Sequence, residues 1–129
     1  MEWRFHNDAP IYAQLVEQLT LRIITTVYSP GQRLPSVRDL AVEAGVNPNT
    51  MQRALGELER TGLVFSQRTS GRFVTEDVSR IQDAKEEIAG KKLTAFLADM
   101  GVLGYDAETL AELIRQAGDK EEAHDVSDS

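Results

Sequence analysis

The sequence contains no cysteine, which excludes a disulfide framework and thiolate metal sites and fits a reducing cytoplasm. It has no lysine before Lys85, so every Lys or Arg charge in residues 1–75 is an arginine. No apolar run approaches ~20 residues, so nothing is expected to span a membrane. Met1 to His6 lacks the apolar stretch of a signal peptide. The two histidines, His6 and His124, stand near opposite ends without ligand spacing around them, and no metal is expected. No nucleophile–base pairing and no phosphate-binding glycine loop is visible, so an enzyme is not expected, nor a cofactor.

What is present begins with an uneven charge. The formal net charge of −7 argues at first against nucleic acid. Residues 1–75, however, hold eight arginines against seven acids, whereas residues 76–129 hold six Lys+Arg against fourteen acids. Arginine is the better residue for bidentate contacts to phosphate and guanine. The 129 residues suit one small domain plus an appendage, and the composition changes near residue 76. The expected organisation is a DNA-binding part over 1–76, two helices over 77–118, and an acidic, disordered tail over 119–129.

The expected fold class is mainly α with a small β-hairpin: an N-terminal winged helix-turn-helix followed by a C-terminal helical dimerisation segment. A first helix is predicted from Pro10 to Val27, with Tyr12, Leu15, Val16, Leu19, Ile23 and Val27 on one face, serving as core scaffold. The second starts at Ser36, an N-cap with Asp39 in capping-box position, and ends at Gly45. The third has Asn47 as N-cap and Pro48 at its first position. Its inner face is Met51, Ala54, Leu55 and Leu58. That leaves Asn49, Thr50, Gln52 and Arg53 pointing away from the core, where a scaffold helix would carry Glu–Lys pairs. Amide, hydroxyl and guanidinium groups read base edges and clamp phosphates. Gly62 stops this helix. Leu63 to Ser66 and Arg72 to Thr75 have strand composition, and Gln67 to Gly71 makes the turn. A hairpin with Arg68, Thr69, Ser70 and Arg72 at its tip is a wing for phosphate or minor-groove contact.

The ordered motifs Pro10-Ile11-Tyr12, Pro30-Gly31-Gln32-Arg33-Leu34-Pro35-Ser36-Val37-Arg38-Asp39-Leu40-Ala41, Val46-Asn47-Pro48-Asn49-Thr50 and Leu58-Glu59-Arg60-Thr61-Gly62-Leu63-Val64 resemble the GntR family of bacterial transcription regulators. The short C-terminal part resembles its YtrA subfamily. The resemblance implies a homodimer that binds a palindromic operator, usually as a repressor. It places a phosphate or base contact on Arg38, the start of the recognition helix on Asn47 to Thr50, and the helix-interior arginine region on Gln52 and Arg53. Many members carry Arg or Ser-Arg where this chain has Asn47-Pro48. The family wing, Gly-x-Gly-Thr-Phe-Val, appears here with Thr69 for the first Gly and Arg72 for the Thr. The candidate DNA-binding set is Ser36, Arg38, Asn47, Asn49, Thr50, Gln52, Arg53, Arg68, Thr69, Ser70, Gly71 and Arg72.

A further helix is predicted from Ser79 to Met100, broken at Gly101 and Gly104, and a last one is capped by Asp106 and ended by Gly118. The first of these carries the candidate dimerisation stripe Ile81, Ile88, Leu93, Phe96, Leu97 and Met100. Two amphipathic helices bury little alone, and a second copy of the chain is the simplest partner. Phe96, Met100 and Tyr105 are core-type residues that could instead line a small pocket for an effector molecule. The alternative function is a winged-helix protein-interaction module without specific DNA binding, its acidic half facing a basic partner.

Overall fold

The computed structural model describes residues 1–128, with side chains as far as Glu121. The elements are α1 (Ile11–Ile24), α2 (Val37–Ala44), α3 (Pro48–Arg60), β1 (Val64–Gln67), β2 (Gly71–Val74), α4 (Val78–Val102) and α5 (Ala107–Asp128). They fall into two compact units, Met1–Glu87 and Ile88–Ser129. Among the described residues no helix is long and apolar enough to cross a membrane.

The first unit is built on α1, α2 and α3. Leu15, Leu19 and Ile23 of α1, Leu40 and Ala41 of α2, and Met51, Ala54, Leu55 and Leu58 of α3 form one buried cluster, closed by Leu63, Val64 and Val74. The helix starts follow local chemistry. The Asp39 N–H donates to Ser36 Oγ at 3.1 Å, and the Asn49 N–H donates to Asn47 Oδ1 at 2.8 Å. Gly45 is left-handed (φ 70), and the Val46 N–H returns to the Ala41 carbonyl, so α2 ends at Gly45 and the N-cap of α3, Asn47, follows two residues later.

The first helix is shorter than its pattern predicts. It ends at Ile24, not Val27, because Thr26 turns left-handed (φ 61) and the Tyr28 N–H donates to the Arg22 carbonyl. Val27 is left 45% exposed.

The strands pair antiparallel in the register Val64↔Val74, Phe65↔Phe73, Ser66↔Arg72, Gln67↔Gly71. The outer side of β2 is also occupied. The Gly31 N–H donates to the Val74 carbonyl, Val74 N–H to Gln32, and Leu34 N–H to Arg72.

Three features of the C-terminal half differ from the sequence expectation. The unit boundary falls between Glu87 and Ile88 rather than at 76, because Ala84 is buried in the first core and Ile81 packs against it. Ile81, placed in the candidate dimerisation stripe, is partly buried against the winged-helix core. Gly101 lies inside α4, and Gly118 lies inside α5, which continues to Asp128. A glycine inside a helix costs only about 1 kcal/mol relative to alanine, and helix formers such as Leu97, Ala98 and Met100 before Gly101, and Leu113, Ala117 and Glu121 around Gly118, sustain the helix. The helical backbone of α5 extends over residues 119–128. The side chain of His124 lies outside the described residues.

In the second unit Gly104 (φ 92) closes α4, with the Tyr105 N–H donating to Met100. Asp106 caps α5, accepting from the Thr109 N–H at 2.8 Å. Leu110 is buried.

Candidate nucleic-acid interface

The eight arginines of residues 1–75 divide into two groups. Arg4 pairs with Glu2, Arg60 with Glu57 and Arg72 with Glu59, while Arg22 is buried against Trp3. Among the described residues the other four, Arg33, Arg38, Arg53 and Arg68, have no carboxylate partner, and all four are exposed. Arg38 stands on α2, Arg53 on α3 and Arg68 in the β1–β2 turn. Arg33 precedes α2, and its Nε lies 3.2 Å from where a Cβ on Gly71 would stand. Of these eight, the arginines left over after internal pairing therefore lie on the helix-turn-helix, just before it and in the hairpin turn.

Arg22 belongs to an internal ladder that sequence periodicity does not reveal. Gln14, Gln18 and Arg22 recur every fourth residue on α1, and each holds the backbone of the preceding segment. Gln14 Nε2 donates to the His6 and Ala9 carbonyls, and Gln18 Nε2 to that of Arg4. The Arg22 Nη2 donates to Met1. Burial pushes the Arg22 guanidinium below its ordinary value, with Tyr28 and Glu43 opposing.

The predicted site residues separate by what their side chains do. Asn49, Gln52 and Arg53 are exposed on α3 and Thr50 is half-buried. Ser36 and Asn47 use their oxygens as caps. This leaves the Ser36 hydroxyl hydrogen and the Asn47 amide hydrogens as outward donors. Arg53 lies over the ring of Tyr12, 4.3 Å from its centre, so α1 supports the exposed face of α3 as well as its core.

In the hairpin, Arg68 and Thr69 are exposed at the turn, which is fastened by the Ser70 N–H donating to Gln67. Gly71 opens β2 with φ 105, where a side chain would meet Arg33. Arg72 departs from its expected place at the tip. It lies in β2 opposite Ser66 and its Nε donates to Glu59 Oε1 at 2.7 Å. The Ser66 hydroxyl donates to the same oxygen. The hydroxyl, and then Arg72, hold the Glu59 carboxyl below the usual range. Arg72 is thus a strut between hairpin and α3. Phe65 and Phe73 stack on the other face of the hairpin at 5.6 Å.

Sequence reasoning missed Arg33. The sequence places Arg33 after Gly31 and before the α2 cap, but only the pairing of its neighbours with β2 brings it beside the hairpin turn.

The arrangement has close counterparts. The family model for "Bacterial regulatory proteins, gntR family" matches residues 11–74. The "Uncharacterized HTH-type transcriptional regulator YhcF" of Bacillus subtilis (strain 168) is 36% identical over 115 residues, which cover 89% of this chain and 95% of that protein. The "HTH-type transcriptional repressor YtrA" of the same organism is 32% identical over 111 residues, 85% of each. A solved structure, "GntR family transcriptional regulator from Listeria monocytogenes", superposes with a TM-score of 0.80 at 37% identity, covering 87% of this chain and 98% of that chain. These relatives are transcriptional regulators rather than enzymes. The chain belongs to the GntR family of bacterial regulatory proteins, and it is a winged-helix, DNA-binding transcription regulator.

Proposed function

We propose that the protein is a cytoplasmic repressor that binds a palindromic operator as a homodimer. The observation that carries the DNA-binding surface is the set Arg33, Arg38, Arg53 and Arg68, exposed and without carboxylate partners among the described residues. The N-terminal part of α3 enters the major groove, where Asn49, Thr50, Gln52 and Arg53 meet base edges. Arg38, with the donors left on Ser36 and Asn47, fixes the approach to the backbone. Arg68, Thr69, Ser70 and Gly71 present the wing to phosphate. Arg33, beside Gly71, joins them.

The homodimer reading is supported by the apolar surface of the second unit. Leu93 is 54%, Phe96 38% and Leu97 42% exposed, on one face of α4. Ile88 and Met100 are half-buried on the same helix. A second copy covers such a face with the isologous geometry that a two-fold operator requires. The repressor reading takes its support from YtrA, described as a repressor.

Selection of bound duplexes from a randomised pool, followed by titration at several salt concentrations, tests the reading. The expected result is an inverted repeat with a steep salt dependence. Binding to duplex DNA that is negligible and insensitive to salt would instead indicate a protein-docking module.

A further inference from the structure

Glu57 stands four residues beyond Arg53 on α3, the spacing at which a carboxylate and a guanidinium pair along a helix surface. They do not pair here. The Glu57 carboxylate takes both the Nε of Arg60, at 2.9 Å, and its Nη2. Tyr12 touches both ends of the arrangement. Its ring carries the Arg53 guanidinium, and its hydroxyl contributes, after Arg60, to holding the Glu57 carboxyl low.

We propose that Tyr12 and Arg60 are positioning residues that keep Arg53 available to DNA: the Tyr12 ring fixes the guanidinium, and Arg60 takes up the carboxylate that would otherwise neutralise it. The proposal rests on Arg53 being a DNA contact. An unsupported arginine on an exposed helix samples many rotamers and loses that freedom on binding. A guanidinium held over an aromatic face has less to lose. A glutamate within reach would add a competing pair that must break before the base or phosphate is engaged. Arg60 removes that competitor from the far, C-terminal end of the helix, without itself approaching the N-terminal reading edge.

The test uses the full chain and a duplex selected by the parent protein, with affinities compared at fixed salt. Arg53→Ala should weaken binding about tenfold. Arg60→Ala should weaken it about twofold, as Glu57 turns to Arg53, and Arg60→Ala combined with Glu57→Gln should restore the parent's affinity. Tyr12→Phe should bind as the parent does. Tyr12→Leu should lose about threefold and add nothing to Arg53→Ala. If Tyr12→Leu unfolds, the Arg60 and Glu57 variants decide the matter alone, since both side chains are at the surface. A double variant as weak as Arg60→Ala overturns the proposal and makes Arg60 a direct contact. Additive losses from Tyr12→Leu and Arg53→Ala overturn it likewise, giving Tyr12 its own contact. Parental affinity in Arg53→Ala would remove Arg53 from the interface, and the proposal with it.

Discussion

The Arg22 guanidinium carbon lies 3.5 Å from the centre of the Trp3 ring, and Arg22 is only 2% exposed. A cation taken this far out of water is held by the aromatic face and by carbonyl acceptors of Met1 and Gln18. Removing either partner leaves the other unsatisfied or uncovered. Trp3→Ala and Arg22→Ala should each destabilise the fold by about 2–3 kcal/mol in urea unfolding. Both should leave the DNA affinity of the folded fraction unchanged. A loss of affinity at full folding would move the N-terminal segment into the interface.

Arg38 and Arg53 should behave in the opposite way. Arg38→Ala and Arg53→Ala each weaken operator binding by about 1–3 kcal/mol, with thermal midpoints at the parent's value. Equal affinities in a titration at fixed salt would remove either residue from the reading surface.

The two hairpin arginines should separate. Arg68→Ala lowers affinity across all sequences and reduces the log–log salt slope by ~0.9 for one lost phosphate contact. Arg72→Ala should instead cost about 1 kcal/mol of stability, because it strips a charge-assisted bond from a partly buried carboxylate. A loss confined to one base position in Arg68→Ala would mean direct readout by the wing.

Acid should loosen the attachment of the hairpin to α3. The Glu59 carboxyl is depressed by the Ser66 hydroxyl and Arg72, so its folded pKa lies below its unfolded one. Its contribution is therefore complete above the unfolded carboxylate value and is lost as pH falls through the folded value. Glu59→Gln should lower the melting temperature at neutral pH and flatten its decline on acidification. A variant with the parent's acid slope would assign that decline to other carboxylates.

For assembly, Phe96→Asp with Leu97→Asp places charge where the proposed dimer interface would bury it. Sedimentation should show monomers at concentrations where the parent is dimeric. Apparent operator affinity should fall by about 10²–10⁴ as two linked half-sites become independent. A parent that is monomeric without DNA would point these helices to another task.

The caps and turns were legible in the sequence because their causes are local. Ser36, Asn47, Gly45, Gly62 and Asp106 each act within a few residues, and each sits where its chemistry indicates. What the sequence did not disclose depended on contacts distant along the chain. The direction of Arg72 is set by Glu59, the burial of Arg22 by Trp3, and the place of Ile81 by the first core. An arginine count says how many cations are present and nothing about which are already neutralised. Arg33 joins the proposed interface because the segment before α2 lies beside the hairpin turn. Gly101 and Gly118 do not end their helices, since one unfavourable residue does not outweigh a helical neighbourhood.

The bonds from Gly31 and Leu34 to β2 have a consequence for how the molecule avoids its own kind. A lone two-stranded ribbon is marginal in water and offers two rows of unpaired amides as a template for further strands. Here one of those rows is already capped by the chain's own approach to α2. Among the described residues, the outer side of β1 is the open strand edge, four residues long, too brief to seed a growing sheet. The hairpin thus offers little edge through which one copy could stick to another.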